Sequence, residues 1–261
     1  MPKFAANLTM LFNEVAFLER FAAAAKAGFR GVEYLFPYDY PADALAEALA
    51  RNKLTQVLHN LPAGDWGKGE RGIACLPGRA SEFQDGVGRA IAYAKALRCP
   101  LLNCLVGITP KDVDAAKVRS TLSDNLRYAA RALDAEGIKL LVEPINTFDI
   151  PGFFLKGTAE TLALFDEIGE PNLWLQYDIY HMQRMEGELA ATMARHLPRI
   201  AHIQLADNPG RNEPGTDEIN YDYLFRRLDE LGYTGWIGCE YKPKTTTVEG
   251  LGWLAHAAVK A

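Results

Sequence analysis

Along the chain, short apolar runs alternate with longer stretches in which apolar residues recur at three- and four-residue spacing. The short runs have the length and β-branched content of strands, and the longer ones have the period of amphipathic helices. Eight runs read as strands: Phe4 to Met10, Gly31 to Phe36, Leu54 to Leu61, Leu101 to Val106, Lys139 to Ile145, Leu173 to Tyr180, Arg199 to Ala206 and Trp236 to Tyr241. Several are almost continuously apolar, with one polar residue near the C-terminal end, as expected of strands covered on both faces. Helices are predicted over Val15 to Ala27, Ala42 to Asn52, Ala115 to Glu136, Ala159 to Ile168, Glu188 to His196, Tyr221 to Leu231 and Val248 to Lys260. A further one carries Phe83, Val87, Ala90, Ile91, Ala94 and Leu97 on one stripe. Gly28, Gly137 and Gly232 follow helical stretches where a left-handed cap is wanted, and Thr109-Pro110 suits an N-cap followed by a first-turn proline.

Eight such units in 261 residues, about 33 residues each, match the count and length of a closed (β/α)8 TIM barrel. No linker, charge run or low-complexity stretch divides the chain, so residues 1–261 read as one domain. Two long loops, Pro62 to Arg79 and Asp207 to Asn220, follow strand C-termini, the face on which barrel enzymes build their sites. The first contains Gly67-Lys68-Gly69-Glu70-Arg71-Gly72, which formally matches the dinucleotide pattern G-x-G-x-x-G. It does not open a helix directly after a strand, and no acidic residue ends the next strand at the expected distance. It reads instead as a flexible lid with Trp66 or Arg71 as closing contacts, or as a plain surface excursion.

Composition narrows the partners. With 49% hydrophobic and 23% charged residues the chain is that of a folded, water-soluble protein. No apolar run approaches the roughly 18 residues a membrane span needs. The opening MPKFAANLTMLFNEV lacks the pattern of a secretory signal, so the expectation is a cytoplasmic protein. The balance of 28 Lys and Arg against 33 Asp and Glu gives a formal charge of −5, which disfavours a broad grip on nucleic acid and points to a small molecule. A homo-oligomer is left open. Cys75, Cys99, Cys104 and Cys239 show no zinc or disulfide spacing and are expected to be reduced, mostly buried thiols.

The polar residues inside the apolar strands carry the candidate chemistry. Glu143 ends the fifth strand, Asp178 sits late in the sixth, Gln204 in the seventh and Glu240 in the eighth. A charge inside a buried strand is costly unless it is paired or bound to a metal, and adjacent parallel strands bring these four together at one rim. Each carboxylate could instead pair with a cation at the barrel mouth, but no basic residue sits at matching depth in these strands. Three carboxylates and an amide oxygen form a hard donor set suited to Mg²⁺ or Mn²⁺. His181 follows Asp178 by three residues at the expected end of the same strand, within reach of a substrate held there. His59 ends the third strand and could line the pocket. His202 shares the parity of Gln204 one layer deeper, where a hydrogen-bonded core role competes with a site role.

At these residues the chain resembles the hydroxypyruvate isomerase family, a branch of the xylose-isomerase-like barrels. The resemblance spans nearly the whole chain. It is carried by FPYDY at 36–40, HNLPAGDWGKGERGIACLPGR at 59–79, EPIN at 143–146, QYDIYHMQ at 176–183, DNPGR at 207–211 with EPGT at 213–216, and GCEYKP at 238–243. It implies that Glu143 and Glu240 are the proton-transferring pair and that both ligate the metal together with Asp178 and Gln204. In related ketose epimerases the Gln204 position is usually histidine, so that branch's metal preference does not carry over. His181 and Arg211 fall where relatives contact substrate oxygens. The implied reaction interconverts hydroxypyruvate and 2-hydroxy-3-oxopropanoate through an enediolate. The alternatives are 2-oxo-tetronate isomerisation, ketose 3-epimerisation and, from another class, a metal-dependent repair nuclease on the same barrel. The nuclease would want more histidines than the five present and a basic surface.

Overall fold

A computed structural model describes residues 2–254. Eight strands, β1 (Lys3–Asn7), β2 (Gly31–Glu33), β3 (Thr55–Asn60), β4 (Leu101–Cys104), β5 (Lys139–Val142), β6 (Leu173–Asp178), β7 (Ile200–Leu205) and β8 (Trp236–Cys239), pair in parallel and in chain order. β1 also pairs with β8, which closes the barrel. The helices are α1 (Phe17–Lys26), α2 (Ala42–Asn52), α3 (Ala80–Leu97), α4 (Ala115–Asp134), α5 (Thr158–Ile168), α6 (Ile179–Met185), α7 (Leu189–His196) and α8 (Tyr221–Glu230). This is the (β/α)8 fold expected from the alternation. Gly28, Gly137 and Gly232 take the positive φ of C-caps.

The barrel interior has two layers with different work. At its N-terminal end Ala5, Leu58 and Leu141 pack with Leu101, Trp174 and Trp236, an apolar plug that keeps water out from below. Towards the C-terminal end the same inward positions turn polar: Asn7, Glu33, Asn103, Gln176, Asp178 and Gln204 are all buried. The outer faces of the strands meet the helices through residues such as Val32, Leu102, Leu140 and Ile203.

Three expectations need correction, and a fourth is described only in part. The strands are shorter than the apolar runs: β5 stops at Val142 and β8 at Cys239, so Glu143 and Glu240 stand one residue past the ladder. β6 stops at Asp178, whose carboxylate accepts the Tyr180 N–H at 2.8 Å and turns the chain into α6. Ile179 and Tyr180 are therefore helical, and His181 lies in the first turn of α6 rather than on the strand. Thr109-Pro110 does not begin a helix; α4 begins at Ala115, capped by the Asp114 carboxylate, which accepts the Lys117 N–H at 3.1 Å. The helix expected over Val248 to Lys260 lies outside the described residues from position 255 on; the described part contains a 3-10 turn at Glu249–Leu251 and the helical positions 252–254.

Candidate active site

The polar end of the barrel opens into a cavity of about 600 Å³. Glu143, Gln204, Glu240, His181 and Arg211 all line it, so the structure brings together five of the residues chosen from sequence. Asp178 lies beside them, fully buried. His59 is not in this wall. Leu58 and Asn60 of β3 face the cavity, so alternation turns His59 outward, edge-on to Tyr38 with ring centroids 6.0 Å apart. Burial holds its pKa down at about 4, so it is a neutral core histidine.

A continuous hydrogen-bond network joins the two glutamates. Gln176 Nε2 donates to Glu143 Oε2 at 2.9 Å and to Gln204 Oε1 at 2.6 Å. Gln204 Nε2 donates in turn to Glu240 Oε2 at 2.6 Å and to Glu33 Oε1 at 2.8 Å. Asn103 supports Glu143 at 3.2 Å, and Asn7 supports Glu240 at 3.2 Å and Glu33 at 3.0 Å. His202 Nε2 meets Glu33 Oε2 at 2.7 Å, which settles the competing readings of His202 in favour of the buried layer. Sequence reasoning passed over Glu33, Asn7, Asn103 and Gln176. The signal that exposes the four strand-end candidates, a polar side chain at an inward position of an apolar strand, applies equally to them.

Burial drives the Glu143 carboxyl well above the ordinary carboxylate range, and the charges of Glu240 and Asp178 add to the rise. Burial also pushes Glu240 up to about 8, against the pull of Arg211 and with the push of Asp178 and Glu33. Asp178 rises to about 6 for the same first reason. A cation does sit at matching depth, although it comes from a loop and not from a strand. Arg211 Nη2 donates to Glu240 Oε1 at 2.8 Å, and Nη1 lies 3.6 Å from Asp149. Burial opposes its charge, but Glu240, Asp178 and Glu143 outweigh that and raise its pKa. Arg211 holds a left-handed backbone, φ 55°, which costs an arginine on the order of 1 kcal/mol. The loop is shaped around Asp207, whose buried carboxylate accepts N–H bonds from Asn208, Gly215, Asp217 and Ile219 at 2.9 to 3.0 Å.

His181 is neutral: burial, then Arg211 and Arg184, hold its pKa well below the ordinary value. Its tautomer follows from Asn146. The Asn146 Oδ1 accepts the backbone N–H groups of Phe148 and Asp149 at 3.1 and 2.8 Å, so its amide nitrogen must face the other way. That nitrogen lies 2.6 Å from His181 Nδ1 and 3.2 Å from an Asp149 oxygen, both acceptors. The proton of His181 is therefore on Nε2, which lies 3.7 Å from Glu143 and 3.6 Å from Asp178.

The donor set fits a divalent cation. Potential ligand atoms of Glu143, Asp178 and His181 lie within 4.8 Å of one another, and Asp178 Oδ2 is buried with no hydrogen-bond partner among the described residues. With its Nε2 protonated, His181 is a hydrogen-bond donor and the carboxylates are the stronger ligands. Gln204 and Glu240, also expected as ligands, spend their hydrogen bonds on each other and on Gln176, Asn7, Glu33 and Arg211.

This barrel, with carboxylates at the C-terminal rim of its strands, is matched over residues 21–257 by the family described as xylose isomerase-like TIM barrel, and the chain belongs to that family. It is 60% identical over 254 residues to the hydroxypyruvate isomerase of Escherichia coli (strain K12), covering 97% of this chain and 98% of that protein. It is 50% identical to a 2-oxo-tetronate isomerase of Cupriavidus necator, covering 97% and 98%. A crystal structure from Brucella melitensis described as an AP endonuclease, family 2, superposes with a TM-score of 0.96 at 48% identity, covering 98% of this chain and 99% of that one. An L-ribulose 3-epimerase, with a TM-score of 0.77 at 20% identity over 100% of this chain and 88% of its own, shares the fold.

Proposed function

We propose that this isomerase interconverts hydroxypyruvate and 2-hydroxy-3-oxopropanoate, with Glu143 and Glu240 as the proton-transferring pair. The observation that carries the reading is a buried and a partly buried glutamate, Glu143 and Glu240, on one cavity wall, both with raised pKa and joined through Gln176 and Gln204. Proton transfer next to a carbonyl needs a base on one carbon and an acid on its neighbour, and carboxyls whose pKa burial has raised serve as either. One glutamate takes a proton from C3 and gives an enediolate. The other delivers a proton to C2, while the C3 hydroxyl proton leaves and the C2 oxygen gains one, so the composition is unchanged. His181 Nε2–H and the Arg211 Nε–H, which has no hydrogen-bond partner among the described residues, would donate to the substrate oxygens on which negative charge develops. Glu143 and Asp178 would hold a Mg²⁺ or Mn²⁺ ion, joined by Glu240 and Gln204 where these exchange their present hydrogen bonds for it, and the ion would supply positive charge against the developing oxyanion.

The four-carbon acid processed by 2-oxo-tetronate isomerases is the second reading, favoured by the 50% identity to one of them. The test offers the purified protein hydroxypyruvate, a 2-oxo-tetronate and a DNA duplex with an abasic site, in D₂O with divalent metal, and follows the products by NMR and gel. The reading expects the largest kcat/KM on hydroxypyruvate, with solvent deuterium at C2 of the product. Incision of the duplex without isomerisation of either acid contradicts it.

A further inference from the structure

We propose that Arg71 reads the carboxylate of the substrate and makes the site selective for an acid over a neutral hydroxy-carbonyl compound; this rests on the isomerase reading above. Four cations line the cavity: Arg71, Arg184, Arg211 and Lys242. Arg211 is committed to Glu240 at 2.8 Å and Asp149 at 3.6 Å. Arg184 is committed to the Tyr180 hydroxyl at 2.9 Å and lies 3.7 Å from Asp149. Lys242 is exposed, its charge already solvated. Arg71 differs from all three. It is partly buried, and among the described residues no carboxylate lies within 4.0 Å of its guanidinium. Its sequence neighbour Glu70 pairs with Arg79.

The guanidinium is nevertheless held in place. Its Nη1 donates to the carbonyls of Trp66 and Glu70 at 3.2 and 2.8 Å. It also stacks 4.0 Å from the Trp66 ring centroid, and Trp66 packs edge-on against Phe36 at 5.2 Å. These contacts use one nitrogen and one face and leave the remaining N–H edge without a counter-charge. A fixed guanidinium edge on the wall of a cavity matches a planar carboxylate.

The loop behind it is pinned, against the flexible lid expected from its glycines. Gly72 forms an antiparallel bridge with Val106 at the end of β4, and its N–H reaches the Ala63 carbonyl at 3.0 Å. Its φ of +115° and the Leu105 carbonyl pressed against the space a Cβ would fill both demand glycine. Asn125 of α4 holds the Ala74 carbonyl at 2.8 Å. Arg71 thus precedes a fixed point, and of the glycines in the formal G-x-G-x-x-G it is Gly72 that lies close against backbone, that of Leu105 and Gly107 just beyond β4.

The test compares the wild type with Arg71→Gln and Lys242→Gln, using hydroxypyruvate and the neutral three-carbon analogue dihydroxyacetone as substrates, and calorimetric binding of tartronate, an inert acid. Arg71→Gln is expected to lower the ratio of acid to neutral kcat/KM at least about tenfold, chiefly through KM, and to weaken tartronate binding by a similar factor. Lys242→Gln is expected to change both by less than about twofold. Equal losses on both substrates, unaltered tartronate binding, or the larger effect in Lys242→Gln overturns the proposal. Failure of the wild type to isomerise hydroxypyruvate, with tartronate binding still dependent on Arg71, removes the isomerase reading and leaves the anion site standing. Normal turnover in Arg71→Gln does the reverse.

Discussion

Raising the pH over the metal-free protein should destabilise it between pH 6.5 and 8.5, opposite to the usual behaviour of carboxylates. Burial, opposed by Arg211 and reinforced by Asp178 and Glu33, lifts the Glu240 carboxyl from 4.5 to about 8. A group whose folded pKa lies above its unfolded value lends stability that is complete below the unfolded pKa and is lost as pH rises through the folded one. For a folded pKa near 8, the loss from pH 6.5 to 8.5 is about 2 kcal/mol, and Glu143, also raised, adds to it. His59 acts with the other sign, its depressed pKa lending stability above 6.5 that is lost as pH falls towards 4. At pH 6.5 the unfolded imidazole is already half neutral, so His59 offsets only about 0.4 kcal/mol of the loss across the window. Denaturant unfolding in chelator at the two pH values reads the effect directly. The wild type should lose at least about 2 kcal/mol, Glu240→Gln should show a shallower slope, and the Glu143→Gln, Glu240→Gln double variant should be nearly flat. Adding Mg²⁺ or Mn²⁺ should stabilise the wild type more at pH 8.5 than at 6.5, because metal binding requires the deprotonated cluster. A wild type whose stability is flat or rising across the window, or a double variant with the wild-type slope, refutes the electrostatic account of the site.

Three further outcomes follow from the same geometry. Asn146→Asp replaces a donor to His181 Nδ1 by an acceptor and should move the imidazole proton from Nε2 to Nδ1, visible in ¹⁵N NMR, with kcat reduced at least about tenfold; an unchanged tautomer would sink the orientation argument. Gly72→Ala should cost about 1–3 kcal/mol in unfolding experiments and speed proteolysis of residues 62–79, whereas wild-type stability and resistance would show that the loop is not pinned there. Chelator should abolish turnover and Mg²⁺ or Mn²⁺ should restore it; full activity after metal removal, checked by elemental analysis, would assign the charge stabilisation to Arg211 and His181 alone.

The barrel was legible because each buried strand is an apolar run and each helix an amphipathic one, and these local periods survive any tertiary context. The ends of the strands were not. In Leu140-Leu141-Val142-Glu143-Pro144-Ile145 apolar residues continue past the last ladder bond, and only the closing sheet decides that β5 stops at Val142. Ile179 and Tyr180 of α6 read as a strand extension because helical and extended apolar runs look alike over so short a span; the Asp178 cap was the available signal. The strand-end carboxylates stand out as charged residues closing apolar runs, and parity fixes the face a strand side chain points to. Parity also explains the placing of His59: it is odd where Leu58 and Asn60 are even, and it faces the helices. Arg211 lay beyond such reasoning, since its position depends on a loop wound around Asp207, and periodicity does not describe a loop.

In the proposed mechanism two carboxyl groups share one proton transfer. Turnover of hydroxypyruvate by Glu143→Gln and Glu240→Gln, measured beside far-UV spectra that confirm folding, tests it in one experiment. Each change preserves size and much of the hydrogen bonding while removing the ability to accept a proton. Each should therefore cut kcat at least about a hundredfold, and the double variant should be little worse than the poorer single one. Near-normal turnover by Glu240→Gln beside an inactive Glu143→Gln would contradict the pair and leave a single shuttling base in its place.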